Sequence, residues 1–493
     1  MQTEDHGNPN SSAKRIAIVG GGLSGLAAAH RIGELFAVEN RPLEMTLFEA
    51  GPRTGGIMGT RHIGEYLVET GADSFITNKP WAVDLCRRLG IEDRLIPTDE
   101  TYRRSLVLRN DKPVPVPEGF MLLSPAKIWP VLTSPIFSLG GKLRMAWEYF
   151  VPRRPQNGPQ DESLAAFVRR RFGREALDRL IQPLVGGIYT SDPERLSLRA
   201  TMPRFLEMER DFRSLIRASR KQQAQQTDAT FSGSGARYGL FATPAGGISE
   251  LLDRLRDRVA DFATLRTETA VTALKPCVQQ DGGATSGWKL TLSDGSEETF
   301  DGVIPAMRSW QAARLLKSLD ARLSNLLDGI EYASTAIVVS GHKLDDIRDP
   351  INAFGLVVPA VENRRILAVS FASRKFPGRA PSGRVILRTF VGGAMQPELL
   401  KHSDEELLTI VREELSDILG VSGRAEFETV CRYERAMPQY HLGHCERVAE
   451  IETLVAKQAA LELAGNAYHG VGIPDCVHSG EQAAERLCAS LGI

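Results

Sequence analysis

In RIAIVGGGLSGLAAAHRI (residues 15–32) a β-branched apolar run at 16–19 meets a cluster of glycines and then an Ala-rich stretch from Leu23. The pattern predicts a short buried strand, a tight turn and a helix. LEMTLFEA (43–50) predicts a second strand ending at Glu49. Apolar residues recur at helical spacing in SLAAFVRRRFGREALDRLIQPLV (163–185), and TPAGGISELLDRLRDRV (243–259) reads as a turn followed by an amphipathic helix. WKLTLSDGSEETF (288–300) predicts a hairpin turning at Asp294-Gly295. Two strands, TAIVVSG and VILRTFVGG, and a helix, SDEELLTIVREELSDIL, follow before a C-terminal helix, IPDCVHSGEQAAERLCASL. The polar stretches 1–15 and 217–239 predict a tail and a mobile loop.

At 493 residues the chain is too long for one ordinary domain. Units of nucleotide-domain type lie far apart, at 15–49, 271–307 and from Leu461, so that domain is expected to be interrupted twice. A formal charge of −1 gives no general attraction to nucleic acid or anionic lipid. Six scattered cysteines without a CxxC pair read as free thiols in a cytoplasmic protein. No uninterrupted apolar run of spanning length occurs.

Gly20, Gly22 and Gly25 satisfy G-x-G-x-x-G between a strand and a helix. The first allows the turn, the second lets a pyrophosphate approach the backbone, and the third allows close helix–strand packing. Unpaired amides over Gly21, Leu23 and Ser24 and the helix dipole would hold the phosphates. Glu49 stands where an acid holds ribose hydroxyls. After it, EAGPRTGG resembles the extension seen in glutathione-reductase-like and amine-oxidase-like FAD proteins, which favours FAD over NAD. Arg53 can hydrogen-bond an anion there, and Gly55 and Gly56 permit a second close backbone turn.

YLVETGADSFI (66–76), LIQPLVGGIYTSDPERLSLRA (180–200), FGLVVP (354–359), RYERAMPQYHLGH (432–444) and AGNAYHGVGIPDCVHSG (464–480) resemble, in unbroken order, the flavin-dependent protoporphyrinogen and coproporphyrinogen oxidases of haem synthesis. The wording is most similar to the bacterial, coproporphyrin-forming subfamily. The resemblance implies an α/β protein with a Rossmann-like FAD-binding domain (12–78, 240–306 and 428–493), a mostly helical domain (95–205) and an inserted α+β substrate domain (79–94, 206–239 and 307–427). It implies removal of six electrons from a porphyrinogen in three two-electron steps, each pair passing by way of FAD to oxygen as hydrogen peroxide. Coproporphyrinogen III is favoured and protoporphyrinogen IX is the alternative; the next enzyme of the haem pathway is a further candidate partner.

From matching motif positions, FAD contacts are expected at 20–25, Glu49, Ala50, Arg53, Gly55, Gly56 and Ile57. Gly71, Ala72, Asp73 and Ser74 are expected beside the isoalloxazine, with Val271 near the adenine, and Tyr433, Val471, Gly472 and Ile473 complete the set. Pro474 suits a helix first turn, so the amides before it can face the anionic end of a reduced flavin. Tyr433 stands where the family commonly has Trp, and Asn466 where many related flavoproteins carry Asp.

On the substrate side the resemblance implies Gly187, against which a pyrrole packs, and Phe354 and Val357, which sandwich the macrocycle. Arg104, or its neighbour Arg103, is a candidate for a propionate. No catalytic acid or base stands out. HLGHC (441–445) lacks a second Cys/His pair for a zinc site. The apolar, basic-ended segment 120–154 fits core packing first and a membrane surface second. An amine or carotenoid oxidoreductase of the same fold, and a non-catalytic porphyrin-binding flavoprotein, are the other readings.

Overall fold

The computed structural model describes residues 13–121, 123–125, 128–155, 160–225, 241–278, 285–349 and 351–493. The expected N-terminal tail up to residue 12 and the loop at 226–239 lie outside them; residues 217–225 of the stretch expected to be a loop are helical, in the helix Leu215–Gln225.

The strand Lys14–Val19 lies at the centre of a parallel four-stranded sheet in the order Ala263–Arg266, Leu43–Phe48, Lys14–Val19, Gly302–Pro305. Its side chains alternate as a strand must. Ile16 and Ile18 enter a core with the helices Leu23–Val38, Ile248–Ala260 and Ile473–Ser490, through Leu26, Leu255 and Leu487. Ala17 and Val19 face the other way, onto Trp288 and Leu290 of an antiparallel three-stranded sheet. Both faces are therefore covered, as a parallel sheet requires. The predicted hairpin is present as Thr285–Leu292 paired with Glu297–Phe300.

A second sheet has seven strands, in the order Phe427–Pro438, Tyr332–Lys343, Arg384–Gly392, Ala368–Phe371, Gly355–Val357, Ser105–Arg109, Lys112–Pro115. Two boundaries differ from those expected. Residues 105–115 are β-strands of this sheet rather than part of a helical domain, and the strand Phe427–Pro438 belongs to it rather than to the nucleotide fold. Strands of five and four residues, Ser105–Arg109 and Lys112–Pro115, are too short for periodicity to reveal. One face, with Ala336 and Val338, packs on the helix Asp404–Leu419; the other, with Ile337, Val339 and Ile386, covers Tyr66 and Val68 of the strand Tyr66–Glu69. That second contact brings residues 70–74 against the sheet.

Among the described residues between 128 and 225 the regular elements are helices, including a π-turn at Leu177–Ile181 that leads into the helix Gln182–Tyr189. The segment 120–154 divides in two. Phe120, Val131, Ile136, Phe137 and Met145 are buried, as core packing predicts. Trp129 (74 % exposed), Leu132, Leu139 (76 %), Leu143, Trp147 and Phe150 are not, so core packing accounts for only part of it. Among the described residues, no helix is long and apolar enough to cross a membrane.

Candidate functional site

The three motif glycines occupy three different environments. At φ +112° Gly20 is in a conformation that favours glycine, and a β-carbon on it would lie 2.3 Å from the Ala306 carbonyl oxygen. On Gly25 a β-carbon would lie 1.9 Å from the Gly20 carbonyl oxygen, so strand, turn and helix touch there. Gly22 faces nothing within 4 Å and caps the helix Leu23–Val38 without a side-chain acceptor. The first-turn amides, including those of Leu23 and Ser24, therefore lie beside an open cradle.

Glu49 follows its strand, and its carboxylate accepts the N–H groups of Gly21 at 2.8 Å and Gly51 at 2.7 Å. Ala50 beside it is exposed. The Glu49 carbonyl accepts the N–H of Thr269 at 2.9 Å, which brings the chain leading to Val271 alongside. Gly55 (φ +98°) and Gly56 (φ +63°) form the second turn, joined to the first by Gly55 N–H donating to the Gly21 carbonyl at 2.8 Å. Arg53, expected to hydrogen-bond an anion, donates from its guanidinium to the carbonyls of Thr54, Gly56 and Met58, bracing this turn. Ile57 is 43 % exposed at the mouth.

Gly71, where a β-carbon would be 2.6 Å from the Ile57 carbonyl oxygen, starts a peptide whose Ala72 is exposed. Tyr433 donates its hydroxyl to the Thr70 carbonyl and Arg388 donates to that of Gly71. The Tyr433 hydroxyl thus makes a bond to the chain. Asp73 accepts from Ser74 at 2.8 Å and pairs with Lys375 and Arg388, which hold its carboxyl well below the usual carboxylate range despite burial.

Val471 and Gly472 precede the C-terminal helix, which starts at Ile473 with Pro474 in its first turn. The Gly472 N–H donates to Asp475 at 3.3 Å, so that amide is already engaged. This helix crosses the glycine-loop helix at Gly480, where a β-carbon would lie 2.2 Å from the Ser24 carbonyl oxygen. Ile473 is seven residues before that crossing, so the C-terminal helix starts about 10 Å along its own axis from the crossing, at ~1.5 Å per residue. Asn466 leaves its carbonyl to Tyr440, whose hydroxyl donates at 2.6 Å. His444 of HLGHC stacks on Tyr440 and bonds to the Tyr468 carbonyl, and burial pushes it down to about 4.

Gly187 and Val357 face one another: a β-carbon on Gly187 would lie 3.9 Å from Val357 Cγ1. Phe354 is buried, and its N–H donates to the Arg104 carbonyl at 2.9 Å. Arg104 is exposed, whereas Arg103 pairs with Glu100 at 2.9 Å. A cavity of about 490 Å³ flanks Tyr433, lined also by Thr335, Gly393, Ala394, Arg435 and Gln439.

Sequence reasoning missed Glu69, Lys375, Arg379 and Arg388. Each is a lone charge in a strand, loop or short helix remote from the glycines, and no local pattern marks it. Arg379 is 2 % exposed and donates to the carbonyls of Pro244 and Ala245. Glu69 is 3 % exposed, accepts from Thr60 and from the Ile248 N–H, and so caps a helix whose N-cap, Gly247, has no side chain.

An open cradle at one helix start, a second helix start farther along and an acid between two glycine turns fit an extended dinucleotide. Residues 23–488 match the family described as flavin containing amine oxidoreductase. The chain belongs to that family. As a flavin-containing amine oxidoreductase it is an FAD-dependent oxidoreductase. Its relatives include Bacillus subtilis coproporphyrinogen III oxidase, 33 % identical over 95 % of this chain and 97 % of the relative. A Nicotiana tabacum mitochondrial protoporphyrinogen oxidase is 28 % identical, over 98 % and 96 %. A crystal structure from Exiguobacterium sp. 255-15 superposes with a TM-score of 0.83 at 28 % identity, covering 98 % of this chain and 100 % of that one. A Brevibacterium oxydans cyclohexylamine oxidase shares the fold at 16 % identity and a TM-score of 0.67, covering 98 % and 100 %.

Proposed function

We propose that this oxidoreductase converts a porphyrinogen to a porphyrin, with coproporphyrinogen III preferred to protoporphyrinogen IX and molecular oxygen as the terminal acceptor. Three bacterial relatives named for coproporphyrinogen, at 30–33 % identity, are closer than the plant relatives named for protoporphyrinogen, at 26–28 %, and a fourth, from Mycobacterium leprae, is 28 % identical. The observation that carries the reading is the similarity to porphyrinogen oxidases over nearly the whole chain, 33 % identity over 95 % of it for the Bacillus subtilis relative.

FAD, when bound, supplies a two-electron acceptor. The protein's part is to place the substrate and shape the field around it. The first-turn amides at Leu23 and Ser24 would hold phosphate, the turn at Gly55 and Gly56 would lie along the cofactor, and the C-terminal helix start would face its anionic end. Val271 would border the adenine, and residues 71–74, pinned by Tyr433 and Arg388, would border the ring. Gly187, Val357 and Phe354 would hold the macrocycle, and exposed Arg104 would meet a propionate.

The test is anaerobic mixing of FAD-loaded protein with coproporphyrinogen III, protoporphyrinogen IX or a primary amine, followed by admission of air. Flavin bleaching and porphyrin fluorescence with coproporphyrinogen, together with peroxide release, support the reading. Bleaching by the amine alone overturns it.

A second reading concerns the exposed apolar residues of 129–150. Two tryptophans and a phenylalanine among aliphatic side chains, with Lys142 between them, suit contact with a lipid surface.

A further inference from the structure

Asp73 lies between two cations delivered by the seven-stranded sheet and the short helix Ala372–Lys375. Lys375 Nζ is 3.1 Å from its Oδ1 and Arg388 Nη1 is 2.9 Å from its Oδ2. Lys375 also donates to Ser74 Oγ at 2.8 Å, and Arg388 to the Gly71 carbonyl. All three side chains are nearly buried, at 12 % for Lys375, 3 % for Arg388 and 14 % for Asp73.

Burying ions costs several kcal/mol each unless they are compensated. A single cation would neutralise Asp73; here there are two, and Nε of Arg388 is buried with no hydrogen-bond partner among the described residues. The next charges out are Arg379 with Glu69, and Glu250 with its partner Arg94, two of each sign, so they do not cancel the surplus. One unit of positive charge is thus built into a poorly solvated place beside an exposed peptide.

We propose that Lys375, backed by Arg388, is a positioning residue that holds the 71–74 peptide in place and leaves one uncompensated positive charge beside the flavin ring, favouring electron uptake and the binding of small anions there. The inference rests on the reading that this peptide borders the ring. Lys375 acts through Asp73 and Ser74, which it orients, and through the field of its charge. A reduced flavin is more negative than an oxidised one, so a fixed cation nearby stabilises the reduced form preferentially.

The experiment uses FAD-loaded protein. Sulfite is titrated against the visible absorbance of the flavin, and the two-electron midpoint potential is measured on the same preparations. Lys375→Met is expected to weaken sulfite binding about tenfold or more and to lower the potential, a tenfold change in the redox equilibrium being ~30 mV for a two-electron couple. Lys375→Arg, which keeps the charge, is expected to restore most of both. Should Lys375→Met fail to retain FAD, Lys375→Gln, which keeps a donor for Ser74, takes its place. Sulfite affinity and potential unchanged in the neutral variant, or lost equally in Lys375→Arg, overturn the proposal. A charge effect in a protein that oxidises neither porphyrinogen overturns the substrate reading alone; normal porphyrinogen turnover without the charge effect overturns this proposal alone.

Discussion

Gly480 of the C-terminal helix lies so close to Ser24 of the glycine-loop helix that a β-carbon on it would stand 2.2 Å from the Ser24 carbonyl oxygen. The contact sets the spacing of the two helix starts that face the cofactor. Gly480→Val must push the helices apart and is expected to destabilise the fold by ~2 kcal/mol. Loss of FAD affinity should accompany it, read by thermal melts and FAD titration.

Gly22 and Gly25 separate binding from folding. Gly22 has extended backbone and open space, so Gly22→Ala should fold within ~0.5 kcal/mol of the parent. It should nevertheless weaken FAD binding about tenfold, or ~1.4 kcal/mol, by filling the cradle. Gly25→Ala meets the Gly20 carbonyl and should lower stability even in the absence of FAD. Equal melting losses for the two would contradict this division.

At the substrate side, Gly187→Leu should press against Val357, since a β-carbon alone would already stand 3.9 Å from its Cγ1. Porphyrinogen KM should rise at least about tenfold, the scale of one misplaced hydrophobic group. The flavin spectrum and FAD affinity should not change, because Gly187 lies away from the glycine turns. A matching loss of FAD would place Gly187 in the cofactor site instead.

Burial pushes Glu69 up to about 7 from 4.5, against the hydrogen bonds of Thr60 and Ile248 that favour its ionised form. The folded protein then keeps a proton that the unfolded chain has released. Stability from this group is full below pH 4.5, is lost as pH rises towards about 7, and changes little above that. The full effect is ~3 kcal/mol at 1.36 kcal/mol per pH unit. Glu69→Gln should remove that slope, so the melting-temperature difference between parent and variant should vary with pH inside this window and flatten outside it.

Leu143 and Trp147 are 66 % and 61 % exposed. Replacing both by Glu should leave the melting temperature nearly unchanged, as expected for surface positions. It should abolish co-sedimentation with vesicles of mixed zwitterionic and anionic lipid. Parent protein that stays in the supernatant would rule out the lipid-surface reading.

By itself the sequence determined the first βαβ unit, the cofactor class and the long elements. Those depend on local pattern: glycines at a strand–helix junction, an acid after the next strand, and capped amphipathic helices such as Asp404–Leu419 with its Ser403 and Glu406 capping box. The short strands Ser105–Arg109 and Lys112–Pro115 escaped because they pair with each other as a hairpin of only five and four residues, and Ser105–Arg109 joins the sheet only through residues 355–357, some 250 positions away, so that pairing rather than propensity makes them strands. Arg53 had the right residue type and neighbours, yet carbonyls of its own loop engage it. Only tertiary structure could place Lys375 and Arg388 on Asp73, since three charges separated by some 300 residues become one site only when strand Tyr66–Glu69 packs across the seven-stranded sheet.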